Sequence, residues 1–134
     1  MAFDWLQYLN LAEQLSRGTD EASHRSAISR AYYFLYHVAY SRAVANHYRR
    51  SEDATTHMSL WLHYERNNNL ECRTVAVIGQ RLLQKRNRAD YQDNYDRISE
   101  EMVETLRNAR RCADIIEALP PQFPEDPPPR IRSF

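Results

Sequence analysis

Two short phrases of this chain carry side chains able to bind anions or move protons. One is Ser29-Arg30-Ala31-Tyr32-Tyr33, followed by Tyr36-His37; the other is Arg86-Asn87-Arg88-Ala89-Asp90-Tyr91. Seven helical residues return to the same face within about 20° while rising about 10 Å, so Arg30 and His37 can line one groove without touching. In such a groove Arg30 would bind an anion and His37 would serve as general acid or base. Arg86 and Asp90, at i and i+4, meet on a helix face. Asp90 would then hold an arginine, Arg86 or Arg30, in a shaped pocket. Tyr91 is a poor base at its ordinary pKa near about 10, but its hydroxyl can orient a phosphate. His57, just before the apolar Met58–Trp61 turn, either joins this pocket or caps that turn. A structural reading stays open beside the chemical one. On that reading Arg30 and His37 anchor helix two to its neighbours, and Arg86–Asp90 is an intrahelical ion pair, worth little if exposed. Half-buried Arg, His, Asp and Tyr must in either case find partners. Two such clusters in one small domain suggest a shared polar site.

The elements that position these residues read as helices. At 134 residues the chain suits one domain. Gly18 and Gly79 are its only glycines, and every proline lies at or after Pro120. Strand-and-turn folds need more punctuation than that, so the stretch before Pro120 argues for helix. The formal net charge is zero, which excludes nucleic-acid binding by bulk electrostatics and leaves only local contact. Lys85 is the sole lysine, and the bias to Arg makes any single Arg weak evidence. Cys72 and Cys112 form no C-x-x-C and no disulfide framework. The opening Phe3-Asp4-Trp5 does not resemble a signal peptide, and no run of about 20 apolar residues could span a membrane. A cytoplasmic location without membrane contact is the expectation. The histidines lack metal-ligand spacing, and there is no Gly-rich phosphate loop or G-x-S-x-G elbow, so no cofactor, metal or covalent nucleophile is expected. His24, His47 and His63 read as surface or helix-end residues.

Apolar periodicity predicts a first helix over residues 3–17, with Trp5, Tyr8, Ala12 and Leu15 on one face. Gly18-Thr19-Asp20 supplies a stop and a new cap. A long second helix runs from about Glu21 to His47, with an inward stripe of Ala27, Ala31, Phe34, Val38, Ser41 and Ala45. Thr55 or Thr56 opens a short third helix, which Asn67-Asn68-Asn69 ends. A fourth covers about Leu70 to Arg88, with Val75, Ile78 and Leu82 inward. Gln92 to Arg97 reads as irregular. Ser99 is placed as the cap of a fifth helix, whose seam is Met102, Leu106, Ala109, Ala113 and Ile116. The Pro-rich segment 120–134 should not be helical. It reads as a solvated tail, with docking of Phe123, Ile131 and Phe134 as the alternative.

These residues resemble the HEPN superfamily, in particular its small stand-alone prokaryotic members. The resemblance rests on Arg25-Ser26, Ser29-Arg30-Ala31-Tyr32-Tyr33 and His37 on helix two, on Thr56-His57, and on Arg86-x-x-Ala89-Asp90-Tyr91. It covers about residues 5–119. It implies an all-α up-and-down helical bundle of four long helices plus a short one (residues 1–119), followed by the tail. It also implies a homodimer. Many members are metal-independent ribonucleases, and related small ones are toxins paired with a minimal nucleotidyltransferase antitoxin. By this resemblance Arg30, His37, Arg86 and Asn87 would be catalytic, and His57, Asp90, Tyr91 and Tyr33 would bind RNA or a nucleotide. The chain departs from the nuclease pattern where Tyr91 stands in place of a His and Ala31 in place of a polar residue. His37 or His57 would then have to supply the imidazole. The alternative is a non-catalytic binding or assembly module whose polar cluster is structural.

Overall fold

The computed structural model describes residues 2–49 and 56–126. Over these the chain is all-helical: α1 (Leu6–Ser16), α2 (Glu21–Ala45), α3 (Thr56–Glu65), α4 (Leu70–Tyr91) and α5 (Ile98–Ala118). With 11 residues, α1 is less than half the length of α2, at 25. The bundle therefore has three long helices and two short ones, where the sequence suggested four and one. No described helix is long and apolar enough to cross a membrane.

Polar residues at the loop–helix boundaries set two of the starts. The Asp20 carboxylate accepts from the Ser23 backbone N–H at 3.0 Å and caps α2. The Ser23 hydroxyl donates to the same carboxylate at 2.8 Å, and this bond and the backbone one hold the carboxyl below its ordinary pKa. Asn69 does the same for α4, accepting from the Cys72 N–H at 2.8 Å. The fifth helix starts differently from expectation. The tight return from α4 places Arg97 in the left-handed region (φ 58°) as the N-cap residue. Ser99 thus falls inside the first turn, and its hydroxyl meets His24 Nδ1 at 3.2 Å.

α2 is the axis of the molecule and touches each of the other four helices. Its buried face includes Ala27, Ile28, Ala31, Tyr32, Leu35, Ala39 and Ala43. The expected stripe fails in its last turns, where Ser41 and Ala45 are exposed. That stripe alternated by four and three, a 3.5-residue period. Eighteen residues make five full turns, so Ala45 returns to the azimuth of buried Ala27; its exposure means that no described neighbour covers that face at the end of α2, where Ala39 and Ala43 are buried instead. On α5 the predicted seam of Met102, Leu106, Ala109, Ala113 and Ile116 is buried throughout.

Two arginines of α2 close the far ends of its neighbours. Arg25 donates to the carbonyls of Ala89 (3.0 Å), Gln92 (2.6 Å) and Asp93 (3.0 Å) at the end of α4. Arg42 donates to those of Ile116 (3.1 Å), Leu119 (2.8 Å), Pro120 (2.8 Å) and Phe123 (2.8 Å) beyond α5. The last carbonyls of a helix have no partner within it, and these guanidinium groups supply one. Residues 120–126 consequently lie on the bundle: Pro124 is buried, Phe123 is half-buried, and the Glu125 N–H donates to Asn67 Oδ1 at 2.6 Å. The described part of the tail is thus docked rather than solvated; Ile131 and Phe134 lie outside the described residues.

Of the histidines expected at the surface or at helix ends, His24 near the start of α2 and His63 in the last turn of α3 do stand at helix ends, and both are buried. His24 spans the α1–α2 turn, with Nε2 2.7 Å from the Gly18 carbonyl. His63 packs on Tyr48, ring centroids 4.7 Å apart, and its Nε2 has no hydrogen-bond partner among the described residues. Burial holds its imidazole below the ordinary value of 6.5, with opposing contributions from Asp126 (raising) and Arg66 (lowering). As pH falls below about 6.5 the unfolded chain takes up a proton that the fold refuses, so stability declines until the folded-state pKa is passed. Urea denaturation between pH 7.5 and 5 should show this loss, and His63→Phe should flatten it; equal slopes would assign the loss elsewhere.

Helix α4 presses its glycine against the largest core side chain. A Cβ at Gly79 would lie 2.2–2.5 Å from the Trp61 ring, which is fully buried. Alanine normally favours a helix interior, but here the ring has no room to retreat. Gly79→Ala should destabilise the protein by about 1–3 kcal/mol in chemical denaturation; a gain in stability would refute this close packing.

Candidate functional site

The two polar phrases meet where α2 lies beside α4. Arg86 Nε approaches Asp90 Oδ2 at 3.2 Å as an ion pair, although its N–H is not aligned for a hydrogen bond. The Arg86 side chain is 14% exposed and that of Asp90 30%, so the pair is only partly screened by water. Arg86 also donates to the Tyr33 hydroxyl and, at 2.7 Å, to Asn87 Oδ1. Across the helix boundary Ser29 Oγ donates to Asp90 Oδ2 at 3.2 Å, and Arg30 reaches Ser29 Oγ at 3.4 Å. Asp90 therefore holds Arg86 directly and Arg30 through Ser29.

Tyr33 is the centre of this cluster. The guanidinium carbons of Arg86 and Arg30 lie 5.0 and 5.3 Å from its ring centroid, within cation–π range. Arg30 also lies 4.9 Å from the Tyr8 ring. Two guanidinium groups thus share one phenol, with a single carboxylate against them. A groove of about 420 Å³ opens beside them, lined by Leu11, Leu15, Ser26, Ser29, Arg30 and Asp90. Such a surplus of forked donors suits an anion with several acceptor oxygens.

His57 enters the cluster from α3. Its ring stacks on Tyr36 at 4.2 Å and stands edge-on to Tyr33 at 5.8 Å. Nδ1 lies 2.7 Å from the Tyr32 hydroxyl, which accepts from Trp61 Nε1–H at 3.1 Å. Burial pushes the Tyr32 pKa well up, so it remains a phenol. Indole N–H can only donate, and a buried hydroxyl proton must find an acceptor. Tyr32 therefore gives its proton to His57 Nδ1, and the neutral ring carries its own proton on Nε2.

The remaining expected site residues are placed apart from this centre. His37 shares the α2 face as its spacing required, but its ring stacks on Trp5 at 3.3 Å, nearly parallel. It connects to Arg30 through Trp5 and Tyr8, whose rings are 5.0 Å apart. Asn87 is exposed and meets the cluster through Arg86 alone among the described residues. Tyr91 is 76% exposed, with its ring centroid 6.0 Å from the Arg86 guanidinium. Several contributors escaped the sequence reading as site residues. Ser29 and Tyr32 were visible only as parts of a phrase, Tyr8 and Trp5 read as a core stripe, and Trp61 read as part of the apolar turn after His57. The i, i+3 spacing of Trp5 and Tyr8 is the one local signal that they act together.

Neither cysteine offers a nucleophile. Burial pushes the thiol of Cys72 up to about 11 and that of Cys112 up to about 12, so both stay protonated near neutrality. Comparison with protein-family models, curated proteins and solved structures gives no match to this chain.

Tyr32→Phe would leave the Trp61 N–H buried without its acceptor and should cost about 1–3 kcal/mol. Ring ¹⁵N spectra should show His57 as the Nε2–H tautomer in the wild type, and that preference should weaken in the variant. A wild-type Nδ1–H tautomer would reverse the proton assignment.

Proposed function

We propose that this chain is a HEPN-type protein that binds RNA or a nucleotide and cleaves RNA without a metal, as a component of a toxin–antitoxin or defence system. The observation that carries the reading is the pair of arginines, Arg30 and Arg86, gathered on Tyr33 with the His57 ring beside it. In this reading a phosphodiester sits against the two guanidinium groups, which stabilise the extra negative charge that develops as the ribose 2′-hydroxyl attacks phosphorus. An imidazole removes the proton of that hydroxyl, and a proton is returned to the departing 5′-oxygen. The products are a 2′,3′-cyclic phosphate and a 5′-hydroxyl. His57 takes the imidazole role because its ring adjoins Tyr33; to act as base it carries its proton on Nδ1, with the Tyr32 hydroxyl turned from donor to acceptor, so that Nε2 is left to take the 2′-hydroxyl proton. His37, stacked on Trp5, positions α1 against α2. Asp90 and Ser29 hold the arginines, and Tyr91 and Asn87 contact RNA from the exposed rim. A homodimer and a minimal nucleotidyltransferase antitoxin belong to the same proposal, by resemblance.

One observation favours a second reading. Arg86 is already engaged by Asp90, Tyr33 and Asn87, as expected of a non-catalytic binding or assembly module with a structural polar cluster.

The test is incubation of the purified protein with labelled RNA in excess chelator. Wild type should yield cyclic-phosphate ends, and a substrate with a 2′-deoxy sugar at the cut site should resist. Arg86→Ala should slow cleavage about 10²–10³-fold and His57→Ala about 10²–10⁴-fold, at melting temperatures that show both to be folded. A folded wild type that leaves RNA intact would favour the second reading. Cleavage unaltered in both variants would place the chemistry elsewhere.

A further inference from the structure

The side of α4 turned away from the arginine cluster carries its own pattern. Val77 precedes Arg86 by nine residues, about half a revolution at 100° per residue. On that side Arg73, Val77 and Arg81 stand one turn apart in a file about 12 Å long. All three are exposed, Val77 at 47% and its neighbour Leu70 at 68%. Arg111 of α5 flanks the file across a groove of about 400 Å³, floored by Ile78 and Leu82. Among the described residues Arg73, Arg81 and Arg111 form no ion pair. Lys85, at the end of the groove, is neutralised by Glu101 and Glu104. A second furrow of about 800 Å³ between α1 and α5 shares Arg111 and adds Arg107 and half-exposed Val103.

We infer that this α4–α5 groove docks an acidic amphipathic helix of a partner protein. In a chain of zero net charge, unpaired arginines concentrated on one groove create a local positive field that complements an acidic ligand. Exposed Val77 and Leu70 in the same groove need apolar cover as well. A nucleic-acid backbone would answer the charges and leave the apolar file wet. A second copy meeting this face about a two-fold axis would set arginine against arginine. The chain's own segment 127–134 brings Arg130 and Arg132 and no acid. A helix with an apolar residue at its centre and a carboxylate one turn to either side matches the Arg73–Val77–Arg81 file position by position. The lining of α4 from Leu70 to Lys85 accommodates a helix of about 15 residues.

The probe is a fluorescent 15-residue synthetic helix carrying Glu-x-x-x-Leu-x-x-x-Glu, read by anisotropy at 0.15 M salt against the full chain. The expected result is saturable binding that weakens about tenfold when both Glu are Gln, and about tenfold in each of Arg81→Glu, Arg111→Glu and Val77→Asp. Val44→Asp, at an exposed valine of α2 outside the groove, should bind as wild type does. A peptide carrying Lys in place of both Glu should recover affinity for Arg81→Glu/Arg111→Glu, which separates charge pairing from damage to the fold. Absence of binding, or equal binding of the Glu and Gln peptides, would overturn the inference. So would a single-stranded RNA of similar length that binds in place of the peptide and is lost in Arg81→Glu and Arg111→Glu.

Discussion

The geometry of this protein depends on one helix reaching the ends of two others. Arg25 and Arg42 lie 17 residues apart on α2, about 25 Å along its axis. Each spreads its guanidinium over the unpaired carbonyls where a neighbouring helix stops. Hydrogen bonds that involve a charged group contribute about 1.5–3 kcal/mol each, though not additively. The two contacts also fix the lengthwise register of α4 and α5 against α2. That register is what sets Ser29 opposite Asp90, and Tyr33 opposite Arg86. A slip of one turn, about 5.4 Å, would dissolve the polar cluster while leaving every helix intact.

The cluster itself illustrates how charge is tolerated at a helix interface. Asp90 faces two arginines, one directly and one through Ser29. The excess positive charge is spread over the Tyr33 and Tyr8 rings rather than cancelled. On the other side of Tyr33, the chain from Trp61 through Tyr32 to His57 passes a single hydrogen-bond direction outward from the core. The ring orientation of His57 is therefore inherited from a tryptophan that is itself clamped by Gly79. Packing deep in the bundle and proton position at its edge are the same constraint seen at two depths.

Helix content was legible because it follows from local physics: absent prolines, scarce glycines, Asp20 and Asn69 at boundaries, and a heptad-like seam on α5. The pairing of Arg86 with Asp90 was legible for the same reason, being an i, i+4 contact. What escaped was non-local. The caps made by Arg25 and Arg42 join residues more than sixty positions apart, and nothing near either arginine marks it as different from the others in an Arg-rich chain. The helix-end positions of His24 and His63 were within the sequence reading, but their burial was not, because burial of a histidine depends on what crosses over it. The start of α5 was misplaced because a left-handed arginine does not advertise itself, whereas a serine followed by two glutamates does. For His37 the spacing placed it on the face of Arg30 and left anchoring open, but it could not name Trp5 as the neighbour that covers it.

The two arginine caps also divide the chain's information unevenly. A guanidinium that bonds carbonyl oxygens reads backbone and ignores side chains. The caps themselves therefore place no demand on the side chains of their acceptors, Ala89, Gln92 and Asp93 at one end and Ile116, Leu119, Pro120 and Phe123 at the other. The donor positions have no such freedom, since lysine lacks the fork that spans several carbonyls at once. Two codons thus hold the register of the bundle, and among the acceptors only the exposed ones, such as Gln92 and Asp93, are left at liberty to drift.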